Sequence, residues 1–350
     1  MGGAESLIAQ IVPLMQNKGF KVDVALFDGH ETPLKQKLIA AGVSIYDFSN
    51  GGNVYNPLNI FRLIRLMRKY DIVHTHNTAP QLFAAIGSVL CSVVLVTTEH
   101  NTSNRRRNWK WYSAIDRWMY GRYSHIICIS KKAEYNLRES ISSKSDNIST
   151  INNGIDTTAF NSALPAAYIR EGLPVNVKLI TMVAGFRWEK DQPTLINALK
   201  FLPENFHLML VGVGVRQDEC RKLAEKIGVN NRTHFLGLRT DVPSVLMASD
   251  YIAMSSHFEG LSLSSLEGMS VGKPFLASDV DGLREVVSGA GILFPHEDHE
   301  TFASEIMHLD SDAGYAKSIS ERCVKRASEY DIKKMVDGYI SVYQQIINKK

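Results

Sequence analysis

The sequence has few of the features that mark several classes of protein, and their scarcity excludes those classes. Its four cysteines, Cys91, Cys128, Cys220 and Cys323, lie far apart without a C-x-x-C pair. That spacing excludes a zinc ribbon and a dense disulfide framework and favours a reducing compartment. The longest apolar run, 82–96, has about 15 residues, whereas a membrane-spanning helix needs about 20. The net charge is only +3, from 39 basic and 36 acidic residues, which is too balanced for a dedicated nucleic-acid-binding protein.

What remains is the composition of a globular protein of more than one domain. The 350 residues are 45% hydrophobic and 21% charged, and a chain of this length predicts two domains. The charge is uneven, because residues 1–165 carry 18 basic and 12 acidic side chains (+6) and the rest carry 21 and 24 (−3). The basic first half predicts an acidic ligand or surface near it.

Short segments rich in β-branched residues alternate with longer amphipathic segments such as 5–18 and 193–201. The predicted strands are 21–27, 71–75, 93–97, 125–129, 178–183, 207–211, 250–254, 274–277 and 291–294. This alternation predicts an α/β fold of two Rossmann-like domains, with parallel sheets that face each other across a cleft. The aperiodic residues 161–165 and the G-L-P of 172–174 suggest a boundary within 164–174, so we expect domains at 1–165 and 166–330. The helical pattern at 335–347 predicts that residues 331–350 pack back toward the N-terminal domain.

The first residues depart from this pattern. A Rossmann-like domain opens with a buried strand and then a glycine-rich turn, whereas here Gly2 and Gly3 come at once. We therefore expect the first N-terminal strand to be missing from the chain as given, which would leave neighbouring strand edges unpaired.

The most informative motif is H-F-E-G-L-S-L-S-S-L-E, from His257 to Glu267, which follows a predicted strand and opens a helix. Amide groups at such a helix N-terminus form a phosphate site. One carboxylate before this site and one beyond it suit the hydroxyl groups on either side of a diphosphate, as in a nucleotide sugar. Two solvated glutamates on an ordinary strand–loop–helix are the alternative.

A second motif, G-F-R-W-E-K-D-Q-P, follows the strand 178–183 and precedes a helix. Ligands of parallel α/β sheets bind beyond the carboxyl ends of the strands, so Arg187 and Lys190 are placed to neutralise a phosphate leaving group. A surface ion pair with Glu189 or Asp191 is the alternative, and the spacing alone does not decide between the two.

Taken in order, these motifs resemble the family 4 retaining glycosyltransferases of the two-domain GT-B architecture over nearly the whole chain. The similar segments are Gly2–Glu5, the D-I-V-H-T-H of 71–76, the T-E-H-N of 98–101, the N-G-I-D of 153–156 with Phe160, Arg187 with Lys190, and Glu259-x7-Glu267.

The resemblance implies a role for each residue. The catalytic set would be Glu259, which binds hydroxyls of the donor sugar, His100 near the reacting carbon, and Arg187 and Lys190 on the diphosphate. Donor binding would further involve Glu267 on the ribose, amides of Gly260, Leu261 and Ser262 on sugar and phosphate, Leu238 near the base, and Gly2 and Gly3 near the phosphate and acceptor.

These expectations describe a cytoplasmic enzyme that moves a hexose from a UDP- or GDP-type sugar to a saccharide or lipid-linked acceptor, in surface polysaccharide or glycolipid biosynthesis. The nucleotide sugar is a co-substrate, and no cofactor or metal is expected, because the cationic pair supplies the charge that a metal would bring. Two D-x-D triplets, at 279–281 and 310–312, are the sequence feature that would favour a metal. An epimerase, a phosphorylase and a truncated, non-catalytic nucleotide-sugar-binding protein are the alternative functions.

Contact with an anionic membrane surface is a further hypothesis. In the segment 60–70, Ile60, Leu63, Ile64 and Met67 fall on one helical face and basic residues on another, and 104–112 mixes cations with aromatic side chains. Both patterns are typical of peripheral membrane segments.

Overall fold

The computed structural model describes residues 3–48, 53–100, 110–141 and 146–348. Its chain divides into two compact units. Unit 1 comprises residues 1–153 and 332–350, and unit 2 comprises residues 154–331. The division falls earlier than the boundary at 165 that composition predicts. The reason is that Phe160 belongs to the core of unit 2 and the backbone N–H of Ala166 donates to Ser244 O at 2.9 Å in the same unit.

The described residues of unit 1 form six parallel strands in two sheets. The strands are β1 (Val24–Leu26), β2 (Ile45–Asp47), β3 (Ile72–His76), β4 (Val94–Glu99), β5 (His125–Cys128) and β6 (Ile148–Thr150). β1 pairs with β2, and a separate sheet has the order β3-β4-β5-β6. In the described residues no ladder joins β1 to β3, so the strands of unit 1 form two separate sheets.

Helices cover the sheets of unit 1. They are α1 (Gly3–Asn17), α2 (Pro33–Ala40), α3 (Leu58–Met67), α4 (Thr78–Gly87), α5 (Lys110–Tyr120) and α6 (Lys131–Ile141). One apolar core contains Leu7 and Ile11 of α1 together with Val94 and Val96 of β4. These four residues place α1 and the four-stranded sheet in one shared core.

Unit 2 is built on one fully parallel sheet of six strands. They are β7 (Lys178–Val183), β8 (Phe206–Val211), β9 (Thr233–Gly237), β10 (Tyr251–Met254), β11 (Phe275–Ser278) and β12 (Ile292–Phe294), in the spatial order β12-β11-β10-β7-β8-β9. β8, β10 and β11 are buried along their whole length. Strands covered on both faces have apolar sequences without polar alternation, as these do.

Eight helices and four short 3₁₀ segments surround this sheet among the described residues. The helices are α7 (Thr157–Asn161), α8 (Gln192–Ala198), α9 (Gln217–Lys226), α10 (Val242–Met247), α11 (Leu263–Ser270), α12 (Leu283–Val287), α13 (His299–Ser311) and α14 (Ala313–Glu329). The 3₁₀ segments are Ala167–Arg170, Trp188–Lys190, Leu199–Phe201 and Asn230–Arg232. The layering, with helices on a parallel sheet, is the predicted α/β arrangement.

The last helix, α15 (Ile332–Ile347), returns to unit 1. Its buried residues include Tyr339 and Tyr343, which share a core with α1 and β4. Just before it, Ile155 N donates to Tyr330 O at 2.9 Å, so the two chain segments at the boundary run side by side. None of the described helices is both long and apolar enough to cross a membrane.

Candidate active site

The two motifs singled out in the sequence border one crevice of unit 2. β7 and β10 are neighbours in the sheet, and from them the strand order runs outward in opposite directions, through β8 and β9 on one side and β11 and β12 on the other. A crevice at such a reversal of strand order is where open α/β sheets bind ligands. Arg187 and Lys190 follow β7, and Glu259 follows β10, so topology alone brings them to this crevice.

Lys190 and Glu259 form an ion pair that joins the two loops. The Ser256 hydroxyl also donates to the same Glu259 oxygen, at 2.8 Å. Both charged side chains are largely shielded from solvent, with exposed fractions of 24% and 11%. The partner of Lys190 is therefore neither Glu189 nor Asp191, and the surface-pair alternative is wrong for this residue.

Further hydrogen bonds hold the two loops in register. The backbone N–H of His257 donates to Glu189 O at 2.9 Å. The Ser255 hydroxyl donates to Asp191 O at 2.7 Å. Because backbone atoms and a short, buried hydroxyl make these contacts, the position of Glu259 relative to Lys190 is fixed by the fold and not by the two flexible side chains alone.

Gly282, in the loop after β11, packs against the backbone of the Glu259 loop. Glu259 N donates to Asp281 O at 3.3 Å, and a Cβ on Gly282 would lie only 2.1 Å from Gly260 O. The φ of Gly282 is +83°, in the left-handed region that other residues adopt at a cost. Both facts require glycine at this position.

The backbone amides after Glu259 are free to bind a ligand. In the described chain the N–H groups of Gly260, Leu261 and Ser262 donate to no acceptor. The Ser262 hydroxyl caps α11, accepting a hydrogen bond from Ser265 N at 3.4 Å. Unpaired amides beside a capped helix N-terminus attract anions, because the amide dipoles and the helix dipole point the same way.

Two further predicted residues carry unpaired charged groups. Arg187 is exposed and its guanidinium has no partner among the described residues. Glu267 lies in α11, and its half-buried carboxylate likewise accepts no hydrogen bond from the described chain. Burial raises the pKa of Glu267 to about 7. A carboxylate desolvated in this way gains from any hydroxyl that donates to it.

The remaining predicted donor-site residues make no described contact with the Lys190–Glu259 pair. Leu238 directly follows β9 and is 77% exposed, which leaves an apolar side chain at the carboxyl edge of the same sheet. Gly3 is the first residue of α1 in unit 1, and Gly2 lies outside the described residues.

His100 belongs to unit 1, at the carboxyl end of β4. Its Nε2 lies 2.9 Å from His76 Nδ1, and the ring of His76 stacks on His74, with centroids 4.5 Å apart. Burial lowers the pKa of His100 to about 4 and that of His74 to about 3. These imidazoles are therefore neutral near pH 7 and offer hydrogen bonds without charge.

Sequence reasoning missed two residues that build these sites, Ser256 and Gly282, and it quoted His76 within the D-I-V-H-T-H segment without assigning it a role. Ser256 orients Glu259, Gly282 admits the Glu259 loop, and His76 is the partner of His100. Each follows or ends a strand, so the available signal was a small or polar residue at or just beyond the end of a β segment.

The two D-x-D triplets of the sequence each have an aspartate in an ion pair. Asp279 pairs with Arg284 at 2.6 Å, and Asp310 pairs with Lys178 at 3.0 Å.

Comparison with known proteins now decides the family. The Glycosyltransferase Family 4 model matches residues 1–159, and the model named Glycosyl transferases group 1 matches residues 169–329. The chain is a group 1 glycosyltransferase of the family 4 type. The predicted family and the predicted class of enzyme, a glycosyltransferase, are thus confirmed.

Relatives and solved structures agree with this assignment. The glycosyltransferase is 26% identical over 311 residues to the UDP-Gal:alpha-D-GlcNAc-diphosphoundecaprenol alpha-1,3-galactosyltransferase of Escherichia coli, covering 83% of this chain and 80% of that protein. Its fold is similar to that of Anabaena HepE, solved in complex with UDP (TM-score 0.83, 21% identity, 98% and 96% of the two chains). A glycosyltransferase from Rickettsia africae gives a TM-score of 0.84 at 21% identity, over 100% and 96% of the chains. These likenesses confirm the predicted GT-B fold.

Proposed function

We propose that this glycosyltransferase moves a hexose, with retention of configuration, from a UDP- or GDP-type sugar to a saccharide or lipid-linked acceptor. The observation that carries the proposal is the Lys190–Glu259 pair beside the unpaired amides of Gly260–Ser262 at the switch point of the unit 2 sheet. The E. coli relative acts on UDP-Gal and a diphosphoundecaprenol acceptor, and HepE binds UDP, which supports a similar donor here.

The charges at the site match those that develop during the reaction. Breaking the anomeric C–O bond leaves negative charge on the departing diphosphate and positive charge on the sugar ring. Arg187, Lys190 and the free amides stabilise the former more strongly in the transition state than in the ground state, which lowers the barrier. Glu259, fixed by Ser256 and Lys190, is placed to accept hydrogen bonds from sugar hydroxyls.

The remaining groups fit the other parts of the donor. Glu267 would accept hydrogen bonds from ribose hydroxyls, and Leu238 would contact the base. His100 would stay neutral near the reacting carbon. In the proposed mechanism the acceptor attacks on the face that the leaving group occupies, and the leaving phosphate oxygen takes the acceptor proton. Such a step requires neither a protein nucleophile nor a catalytic metal.

The test is transfer by the purified chain with a panel of UDP- and GDP-hexoses and lipid-linked or saccharide acceptors. We expect nucleotide release that depends on acceptor, and a product whose anomeric configuration, read by NMR, equals that of the donor. Glu259→Gln should reduce transfer about 10²-fold or more, because it removes a fixed acceptor at the reacting sugar. Glu300→Gln, at an exposed position of α13, is the matched control and should transfer at the rate of the unaltered chain.

Other outcomes would replace the proposal by one of its rivals. Conversion of one nucleotide sugar into its epimer without acceptor would assign an epimerase. Tight nucleotide-sugar binding without any turnover would assign a binding protein. An inverted product would keep the transferase and remove the proposed stereochemistry.

We further propose a cytoplasmic location with peripheral contact to an anionic membrane surface. The predicted apolar face of α3 does not make this contact, since Leu63, Ile64 and Met67 are buried. Instead, Leu58 and Phe61 are exposed on α3, next to the exposed cations Arg62 and Arg65. The side chains of the second predicted segment, 104–112, lie outside the described residues. Co-sedimentation with vesicles that showed no dependence on anionic lipid would contradict the contact.

A further inference from the structure

Three loops of unit 2 bring together a group of side chains that the transfer reaction does not use. Asp191 follows β7, His257 follows β10 and His296 follows β12, and one potential ligand atom from each lies within 4.8 Å of the others. His257 Nδ1 is 2.6 Å from His296 Nε2. A second carboxylate, Glu297, has its Oε1 at 3.6 Å from His257 Nδ1. In the described chain this is the one group of histidine and acidic residues with such geometry.

Asp191 is the least expected member of the group. It is only 5% exposed, yet in the described residues the hydrogen bonds to its carboxylate come from one uncharged neighbour, Thr194, whose hydroxyl lies 2.6 Å away and whose backbone N–H also donates. An ionised carboxylate that is buried without a cationic partner is strongly destabilising. Arg216, which lines the same groove, already donates to both carboxylate oxygens of Glu219, with its Nε 2.6 Å from Oε2. The local charge therefore favours a bound cation.

The backbone at the group points in the same direction. Asp191 and Glu297 have φ values of 44° and 63°, and they are two of the three non-glycine residues with positive φ in the described chain. A residue other than glycine adopts this conformation at a cost of about 1–2 kcal/mol. Such conformations concentrate at functional sites, where the surrounding structure holds them in place.

We propose that Asp191, His257, His296 and Glu297 bind one divalent transition-metal cation of the zinc class. Two imidazole nitrogens and two carboxylates form a ligand set that zinc accepts in tetrahedral geometry. Ligands about 2.0–2.1 Å from a tetrahedral ion lie about 3.3 Å apart. The two imidazole nitrogens must therefore separate by less than 1 Å, which the exposed His296 can do by rotating its side chain.

This site is distinct from the donor pocket, although it shares two loops with it. Asp191 is the residue after Lys190, and His257 precedes Glu259 by two positions. His257 packs against Trp188, with ring centroids 4.4 Å apart. Asp191, His257 and Glu297 line a groove of about 540 Å³ between α8, α9 and these loops. A bound cation would tie the loops after β7, β10 and β12 together. It would act as a positioning element, and the transfer step would still be metal-free.

The test is a titration of the full chain, stripped of metal by a chelator, with Zn²⁺ in competition with a chromophoric zinc indicator. We expect one tight site per chain. His296→Ala should weaken it at least about tenfold, as expected for loss of a ligand, and this exposed residue is replaceable without loss of the core. Glu297→Gln should weaken it less. Mg²⁺ should not compete, because it prefers all-oxygen ligands.

Two controls separate this site from other histidines. His308→Ala removes an exposed histidine of α13. His234→Gln breaks another close histidine pair, in which His207 Nδ1 lies 3.0 Å from His234 Nε2 and which no acidic residue of the described chain completes. Both variants should bind Zn²⁺ as the unaltered chain does.

A thermal melt gives a second readout. Zn²⁺ should raise the melting temperature of the unaltered chain and of His308→Ala, but not of His296→Ala, since a ligand that binds only the folded state stabilises it. Equal zinc affinity in His296→Ala and the unaltered chain, or a tight site lost in His234→Gln, would overturn the proposal. Circular dichroism of each variant shows whether it is folded.

Discussion

Both units place polar side chains at the carboxyl ends of parallel strands, but they hold them in opposite electrostatic states. In unit 2 the site is charged: Lys190 and Glu259 are paired, and Arg187 has no partner in the described chain. In unit 1 the site consists of imidazoles, and burial keeps the pKa of His74 and His100 at about 3 and about 4. Unit 2 is therefore suited to a ligand with formal charge, and unit 1 to one that needs hydrogen bonds.

The difference follows from how each site is built. In unit 2 two loops supply opposite charges that lie side by side, and removal of either would leave the other charge shielded from water without its partner. In unit 1 the side chains come from the ends of β3 and β4 and pack against Tyr339 and Tyr343 of α15; the Tyr343 hydroxyl lies 2.5 Å from His74 Nδ1. Only neutral rings fit among such neighbours without an unpaired buried charge.

The largest expected effect breaks the charged side of this comparison. Lys190→Ala removes a cation from the proposed phosphate site and leaves Glu259 with only Ser256 to bind it. We expect the rate of nucleotide release to fall about 10²–10³-fold, the range for loss of one fixed electrostatic donor. Lys200→Ala, at an exposed position, is the matched control. A fall below tenfold in Lys190→Ala, with the control unaffected, would show that Lys190 does not face the leaving group.

A smaller effect is expected from the glycine that admits the Glu259 loop. Gly282→Ala places a Cβ 2.1 Å from Gly260 O, so the loop must move. Gly289→Ala is an unusually close control, because Gly289 also has positive φ, +77°, but no atom within 4 Å of the added Cβ. Backbone strain should cost both variants about 1–2 kcal/mol of stability, and Gly282→Ala should lose more because its Cβ also displaces the loop. Only Gly282→Ala should in addition bind nucleotide sugar more weakly, because the displaced loop carries Glu259 and the free amides. We expect a loss of about tenfold in affinity, which is about 1.4 kcal/mol of binding free energy.

Urea unfolding and nucleotide-sugar titration of the two variants measure these terms separately. Equal loss of affinity in both would mean that backbone strain anywhere in unit 2 reaches the donor site, and the support that Gly282 gives to the loop would not be specific.

The sequence predicted much of unit 2 and of its site. Apolar runs such as 178–183 coincide with β7 as observed, because strands buried on both faces leave a continuous signal. Arg187, Lys190, Glu259 and Glu267 were found because each follows a strand or opens a helix at a recognisable spacing. The strands β2, β6 and β9 were missed, the first two because three residues carry too little periodicity to register.

What could not be predicted depends on contacts between distant segments. The pairing of Lys190 with Glu259 crosses 69 positions of the sequence, and nothing near Lys190 distinguishes Glu259 from the adjacent Glu189 and Asp191. The partner of His100 was not recognised either, because His76 ends a different strand. Side-chain pairing of this kind becomes visible only when strand order is known.

The smallest expected effect is the pH dependence of local stability, which should have opposite signs in the two units. Glu267 has a pKa raised to about 7 in the folded chain, from an ordinary value of 4.5, so its folded environment binds more protons than the unfolded chain between these values. Its contribution to stability is present at pH 4.5 and is lost as the pH rises through 7. The histidines of unit 1 act oppositely. Their pKa values are lowered from 6.5 to about 3 and about 4 for His74 and His100, so stability is full above pH 6.5 and is lost as the pH falls.

Hydrogen exchange followed by mass spectrometry at pH 5 and pH 8, corrected for intrinsic exchange rates, tests both signs in one sample. We expect β3 to open more easily at pH 5 and α11 to open more easily at pH 8, because the two sites bind and release protons in opposite senses on unfolding. Glu267→Gln should abolish the pH dependence of α11 and leave that of β3 in place, because glutamine does not titrate. If α11 and β3 shifted in the same direction in the unaltered chain, the two sites would not differ in charge as the comparison requires.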